Sequence, residues 1–356
     1  MRSITALPDS NLADMNNLIQ TETELEERLS RPSEADIAAV KSLDGDILIL
    51  GAGGKMGPSL ARLARRAVEG AGLSKRVIAV ARFTDQGLTA KLRADGIEVI
   101  ASDLLEPNAL AQLPAVPNVI FMAARKFGTS GAEYLTWALN TYLPGLVAER
   151  YRASRIVSFS TGNVYPLRRI AQGGASEDTR PAPVGEYAQS ALGRERMFEY
   201  GSHRWGTKSA ILRLNYANDL RYGVLIDIGR AVYEGRPVNV RMGLVNVIWQ
   251  GDANSVCLRS FAHCESPPRV INLTGPETLS VRSIAEEFGR HFGEEPRFDG
   301  EEADTALISD SRLCSQLFGY PDVTAQQLIE WSATWIKQGG SVLNKPTHFE
   351  VRDGTF

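Results

Sequence analysis

The sequence predicts an α/β protein: a parallel sheet doubly wound by helices, a smaller mixed α/β lobe, and a short helical extension in front. Three observations point there. The apolar run Ile47 to Leu50 leads directly into G-A-G-G-K-M-G at 51–57. Strand-like runs then alternate with helical patterns over the first two-thirds of the chain, as in sheets covered on both faces. Beyond Asn215 the elements shorten and loops multiply, with E-G-R-P-V from Glu234 and S-P-P from Ser266.

The first 44 residues hold nine acids and four bases. That acidity does not suit an organellar transit peptide, and no apolar segment marks a secretory signal, so the expected compartment is the cytoplasm. T-E-T-E-L-E-E-R-L-S, Pro32, and S-E-A-D-I-A-A-V-K-S-L predict two short helices, with Ser33 capping the second. This extension, 1–44, is expected to pack on the domain that follows.

In that domain, 45–214, strands are predicted at 46–50, 76–81, 98–101, 118–123, 155–159 and 210–214. Leu60, Leu63, Ala64 and Val68 share one face of a helix over 59–68. Further helices are expected at 134–152 and 187–200. The second lobe, 215–340, is interleaved with the sheet because 270–273 reads as a strand returning to it. The segment 341–356 has little hydrophobic pattern and is expected to cross the surface.

The glycines carry the first functional signal. Gly51, Gly54 and Gly57 give G-x-x-G-x-x-G, with Gly53 supplying the alternative G-x-G-x-x-G register. A buried strand ending in glycines lets the backbone turn tightly and approach a phosphate. The N–H groups of the helix that follows, behind Lys55 and Met56, then face the pyrophosphate. This is a Rossmann-type dinucleotide site. At the end of the second strand, V-A-R-F-T-D puts Arg82 where an NAD site usually has an acid. A guanidinium suits a 2′-phosphate and Lys55 adds charge, which favours NADP over NAD. Arg82 is also compatible with a solvated surface position, and Asp85 with a ribose contact. Asp103 and Leu104 after the third strand suit the adenine, with a helix cap as the other reading of Asp103. Ala123 and Ala124, after the fourth strand, are small enough for close approach to the cofactor.

The net charge of −3 gives no electrostatic reason to expect nucleic acid or an anionic membrane, and no apolar run is long enough to span a bilayer. Cys257, Cys264 and Cys314 lack metal-ligand spacing and read as buried free thiols. The four histidines are scattered, so no bound metal is expected.

From about 46 to about 335 the motifs resemble those of the extended short-chain dehydrogenase/reductase family, the NAD-dependent epimerase/dehydratase group. F-M-A-A at 121–124 resembles its H-L-A-A, and S-F-S-T-G-N-V-Y at 158–165 its S-S-x-x-V-Y. L-R-L-N at 212–215 and N-L-T-G-P-E-T-L-S at 272–280 resemble its later segments. The resemblance implies hydride transfer on a sugar, sugar acid or nucleotide-sugar. Thr161 would hold the reacting oxygen and Tyr187 would move its proton, with Thr161, Asn163 and Asn215 on the substrate side. Trp249 in V-I-W-Q-G-D reads either as a pocket residue or as packing of the second lobe. Asn215 sits one residue early for the family's L-R-x-x-N, which argues against a nucleotide-diphosphate substrate. No carboxylate pair marks a dehydratase. Pairing through the tyrosine-bearing helices is common in the family, so a homodimer is compatible with the sequence.

The chain breaks the family's Tyr-x-x-x-Lys motif, for Tyr187 is followed by Ala191. Positions four apart share a helical face. A free phenol with pKa about 10 is ionised about one part in a thousand at pH 7. A cation about 4 Å away, at an effective dielectric near 20, favours the anion by roughly 4 kcal/mol. Lys126, beyond the fourth strand, and Arg194, two helical turns after Tyr187, are candidate replacements, with an exposed surface charge as the plain reading of each. Alternatively, Tyr187 works without a cation of the chain. The rival reading is a catalytically silent NAD(P)-binding regulator of the same fold.

Overall fold

Ile47–Leu50 forms β1, an interior strand of a seven-stranded sheet in a computed structural model that describes residues 18–126 and 131–355. The other strands are β2 (Val77–Ala81), β3 (Glu98–Ala101), β4 (Asn118–Phe121), β5 (Arg155–Thr161), β6 (Ser209–Leu214) and β7 (Arg269–Leu273). Their order is β3-β2-β1-β4-β5-β6-β7, and every pairing is parallel. Ile47 pairs with Val77 on one side and Asn118 on the other, so the strand order reverses at β1. Ligands of such sheets bind at that reversal, outside the carboxyl ends of the strands.

The continuous apolar runs reflect burial on both faces. Ile47 and Ile49 enter one core with Ile120, Val157 and α3 (Gly57–Gly70). Leu48 and Leu50 enter the opposite core with Phe121, Leu143, Val147 and Phe198. That second face is covered by α5 (Glu133–Trp137), a π-helical turn (Ala138–Tyr142), α6 (Leu143–Arg150) and α7 (Gly185–Trp205). A shorter helix, α4 (Gln86–Ala94), joins β2 to β3.

A third core belongs to the second lobe, around α8 (Val224–Tyr233), α10 (Val281–Phe292) and α11 (Ala325–Lys337). Between them in sequence, α9 (Gln250–Arg259) packs on α3 instead.

In the extension, α1 (Glu22–Leu29) and α2 (Glu34–Ser42) each begin with a capping box, at Thr21 and Ser33. The two helices divide their packing. Val40 of α2 joins the sheet core, whereas Leu25 and Leu29 of α1 join the second lobe's core. Arg62 and Arg66 of α3 bind Glu26 and Glu27, so the extension bridges both parts. Residues 1–17 of the expected extension lie outside the described residues.

The C-terminal segment is mostly exposed or half-buried and is anchored at two points. Thr347 and Phe349 are buried, and Gly354 lies so close to the start of α7 that a Cβ on Gly185 would sit 2.3 Å from its carbonyl oxygen. The segment is held by specific side chains rather than by hydrophobic periodicity, which is why its sequence reads as a surface tail. Among the described residues no helix is long and apolar enough to cross a membrane.

Candidate active site

The glycine turn is built by close approach. Gly51 has φ +94°, and a Cβ there would lie 2.4 Å from the backbone nitrogen of Ala123. The chain after β4 therefore passes directly over the turn, and the strand predicted over 118–123 ends at Phe121. Gly57 starts α3, where a Cβ would meet the Ala52 carbonyl oxygen at 2.3 Å. A Cβ on Gly54 would meet nothing closer than 3.6 Å, so this glycine keeps an open face toward the crevice. Met56, the N-cap residue of α3, makes no side-chain cap. The first N–H groups of the helix are thus left for an anion.

Beside the turn lies a cavity of about 420 Å³, lined among others by Arg82, Asp103, Leu104, Ala123 and Ala124. It brings together the residues expected around the adenosine half of a dinucleotide, and its size and donors fit one. Asp103 accepts from the Leu105 N–H at 3.1 Å. Asp85 uses its carboxylate to cap α4, accepting from Gly87 and Leu88 at 2.8 and 3.1 Å. Arg82 is exposed at the mouth.

Thr161 is the last residue of β5, two beyond the predicted strand end, at the carboxyl edge of the sheet. Its Oγ1 accepts from the Asn163 backbone N–H (3.2 Å) and side-chain amide (3.0 Å). Tyr187, in the first turn of α7, is hydrogen-bonded to Thr161. Burial pushes the phenol above its usual range, while the Arg194 charge and the Thr161 bond pull it down.

Lys126 stands over the Tyr187 ring, 6.0 Å from its centroid, and donates to the Thr347 carbonyl at 3.2 Å. Burial lowers its ammonium to about 8, against the pull of Asp227 and Glu350. Asp227 in turn accepts from Thr347, at 2.7 Å from the N–H and 2.5 Å from the hydroxyl. Lys55 reaches from the glycine turn to the Tyr222 ring, 3.1 Å from its centroid. Burial and the charges of Lys126 and Lys345 lower it to about 7, with Asp227 opposing. The C-terminal segment thus closes one side of the cleft.

Two readings need correction. Trp249, for which the sequence left a pocket role and lobe packing open, is 2% exposed and edge-stacked on Trp331 at 5.4 Å, so its ring serves packing and the pocket role falls. Arg194 is no surface charge: it is 3% exposed, inside α7. Asn215 is buried too, its amide donating to Leu307 O at 3.3 Å. Ala191 packs with Val164, Tyr165 and Ala175, so apolar side chains surround the position of the motif lysine.

Sequence reasoning missed Asn140, Tyr222, Asp227 and Thr347. The only local signal among them was the run of aromatic and acidic residues in Tyr216–Asp227; Asn140 and Thr347 gave none. Among the described residues no cluster of His, Cys, Asp or Glu could hold a metal.

Fold and site define a Rossmann-type dinucleotide-binding architecture with a threonine at the end of its fifth strand and a tyrosine in the first turn of α7. Residues 47–217 match the model of the NAD dependent epimerase/dehydratase family. No curated protein matches the chain. Solved structures share the fold. UDP-glucuronic acid 4-epimerase from Bacillus cereus, in complex with UDP-glucuronic acid and NAD, superposes with TM-score 0.67 at 18% identity, covering 82% of this chain and 99% of that one. UDP-glucose 4-epimerase from Thermotoga maritima, with UDP-glucose, gives 0.67 at 15%, covering 83% and 99%. The Thermus thermophilus UDP-glucose 4-epimerase complex with NAD gives 0.66 at 16%, covering 82% and 99%.

Proposed function

We propose that the chain is a nicotinamide-dinucleotide-dependent oxidoreductase or epimerase that acts on a hydroxyl of a sugar, sugar acid or nucleotide-sugar. The observation that carries this reading is the hydrogen bond between Thr161 and Tyr187 at the carboxyl edge of the sheet, beside the glycine turn. Bound there, a nicotinamide ring supplies hydride acceptor and donor chemistry. The α3 N–H groups hold the pyrophosphate. Thr161 orients the reacting oxygen, and Tyr187 takes or returns its proton at the phenol oxygen. Lys126 adds positive charge over the Tyr187 ring, where the Thr347 segment covers it from water. The hydrogen-bonded hydroxyls of Thr161 and Tyr187 beside the glycine turn support an enzyme over a silent regulator. Related structures hold UDP-sugars, whereas the buried amide of Asn215 favours a substrate without the nucleotide.

At the ribose position the chain's own residues favour NADP: Arg82 is exposed at the cavity mouth and Asp85 is engaged in capping. The related structures were solved with NAD, so relative affinity for the two cofactors tests the preference. A homodimer is supported by exposed Tyr134, Trp137 and Tyr142, grouped on the helix that packs beside α7. Three buried free cysteines suit the cytoplasm.

The test is mass spectrometry of pooled sugars, sugar acids and nucleotide-sugars incubated with the protein and both cofactors. A mass change or isomer shift made by wild type and lost in Tyr187→Phe is the expected result. Cofactor binding with no product from the pool would move the weight to the regulator.

A further inference from the structure

Arg194 is energetically out of place. Its Nη1 donates to the Phe159 carbonyl at 2.7 Å and its Nη2 to Asn140 Oδ1 at 3.0 Å, both neutral acceptors. Its Nε is buried without a hydrogen-bond partner, and among the described residues no carboxylate forms an ion pair with it. The nearby Glu195 is engaged by Arg213, through bonds of 3.0 and 2.8 Å. A buried guanidinium without a bonded counter-ion is costly, and an apolar side chain of similar volume is often the more stable choice.

The surroundings hold that charge in place. Seven residues separate Arg194 from Tyr187, two turns of α7 and nearly the same face. Asn140, fully buried in the π-helical turn, accepts from Arg194 and from the Arg125 N–H (2.9 Å). Its amide donates to Arg125 O and Ser190 Oγ, each at 3.0 Å. Ser190 Oγ donates to the Tyr187 carbonyl at 2.9 Å. π-turns recur at functional sites, and this one aims an amide at the back of the tyrosine helix.

We propose that Arg194 is a positioning residue: a permanently charged guanidinium behind Tyr187 that takes over the electrostatic task of the lysine absent at Ala191. The inference rests on the role given to Tyr187 above. Lys126 is the competing cation, but it stands 6.0 Å from the centre of the Tyr187 ring and is hydrogen-bonded to the C-terminal segment. Burial lowers both cations, but the Arg194 guanidinium starts from a far higher value than an ammonium, whereas Lys126 is brought down to about 8. The groups facing Tyr187 are Arg194 from its own helix, Thr161 from β5, Lys126 from the end of β4 and Tyr222 ahead of α8. Behind them stand Glu195, Asp227, Glu350, Lys55 and Lys345.

The test is the titration of Tyr187 in the full-length protein, read by NMR of tyrosine labelled with carbon-13 at Cζ. Tyr187→Phe assigns the resonance by removing it. Arg194→Gln, which can keep a donor but loses the charge, and Arg194→Met are each expected to raise the midpoint by about 1–2 pH units, and Arg194→Lys to hold it near wild type. Melting curves accompany each variant. An Arg194→Met protein at least as stable as wild type, with a raised Tyr187 midpoint, identifies a charge kept for the phenol. An unmoved midpoint in both charge-removing variants overturns the proposal, and so does a midpoint that moves in Arg194→Met alone. If Lys126→Met moves the midpoint and Arg194→Gln does not, Lys126 is the acting cation. Product formation by Tyr187→Phe would instead defeat the catalytic reading, and the titration would still report the coupling.

Discussion

The two ends of the cleft are built on different principles. At the glycine turn the constraint is steric and local: Gly51 and Gly57 are fixed by backbone atoms 2.4 and 2.3 Å from where a Cβ would sit. At the tyrosine helix the constraint is electrostatic and distributed, with the phenol acted on by Thr161 from β5 and Arg194 from α7, and Lys126 from beyond β4 standing over its ring. A steric site tolerates no change at its key residues. An electrostatic one can move its cation to another position, and this chain lacks the motif lysine while retaining both hydroxyls.

The largest break in that contrast is Tyr187→Phe. Losing the proton-moving group lowers turnover about 10²–10⁴-fold, while cofactor affinity, measured by calorimetry, stays near wild type. Next comes Gly57→Ala, which acts at the other end. The new methyl meets the Ala52 backbone, which cannot step aside, and costs about 3 kcal/mol, read as a melting temperature lower by on the order of 5 °C. An unchanged melting curve would mean that the turn relaxes and the steric account fails.

Arg82→Ala sharpens the cofactor half, weakening NADP about tenfold and leaving NAD nearly unchanged, since a lost charge-assisted bond is worth about 1.5 kcal/mol. Equal weakening of both would return Arg82 to the solvent. The smallest effect is a pH dependence at Lys55. Its ammonium is lowered to about 7 in the fold, so above that pH the unfolded chain binds more protons and stability rises as pH increases toward the ordinary lysine value near 10.4. Lys55→Met flattens this rise in melting temperature, and an identical slope in the two proteins would refute the shift.

Much of this was legible in the sequence because it depends on near neighbours. Ile47 to Gly57 specifies a strand, a turn and a helix within a few residues of one another, and the capping boxes at Thr21 and Ser33 are equally local. The strand runs reported the parallel sheet because burial on both faces removes alternation. Tyr187 and Thr161 were visible as motif positions. What was left open or missed depends on partners far along the chain. Trp249 stays open between pocket and packing until Trp331 covers it, and the C-terminal segment shows no anchor until Asp227 and Lys126 hold Thr347.

The sequence by itself therefore determined the fold class, the dinucleotide turn and the absence of the motif lysine, because periodicity, glycine spacing and residue identity are properties of short windows. Only the tertiary structure decided which cations stand near Tyr187. The charge on Arg194 is fixed by residue type, but its effect depends on burial and distance, and those are set when the π-helical turn and β5 close around α7. Water would screen the same guanidinium on an exposed helix, whereas the interior leaves it able to act on the phenol.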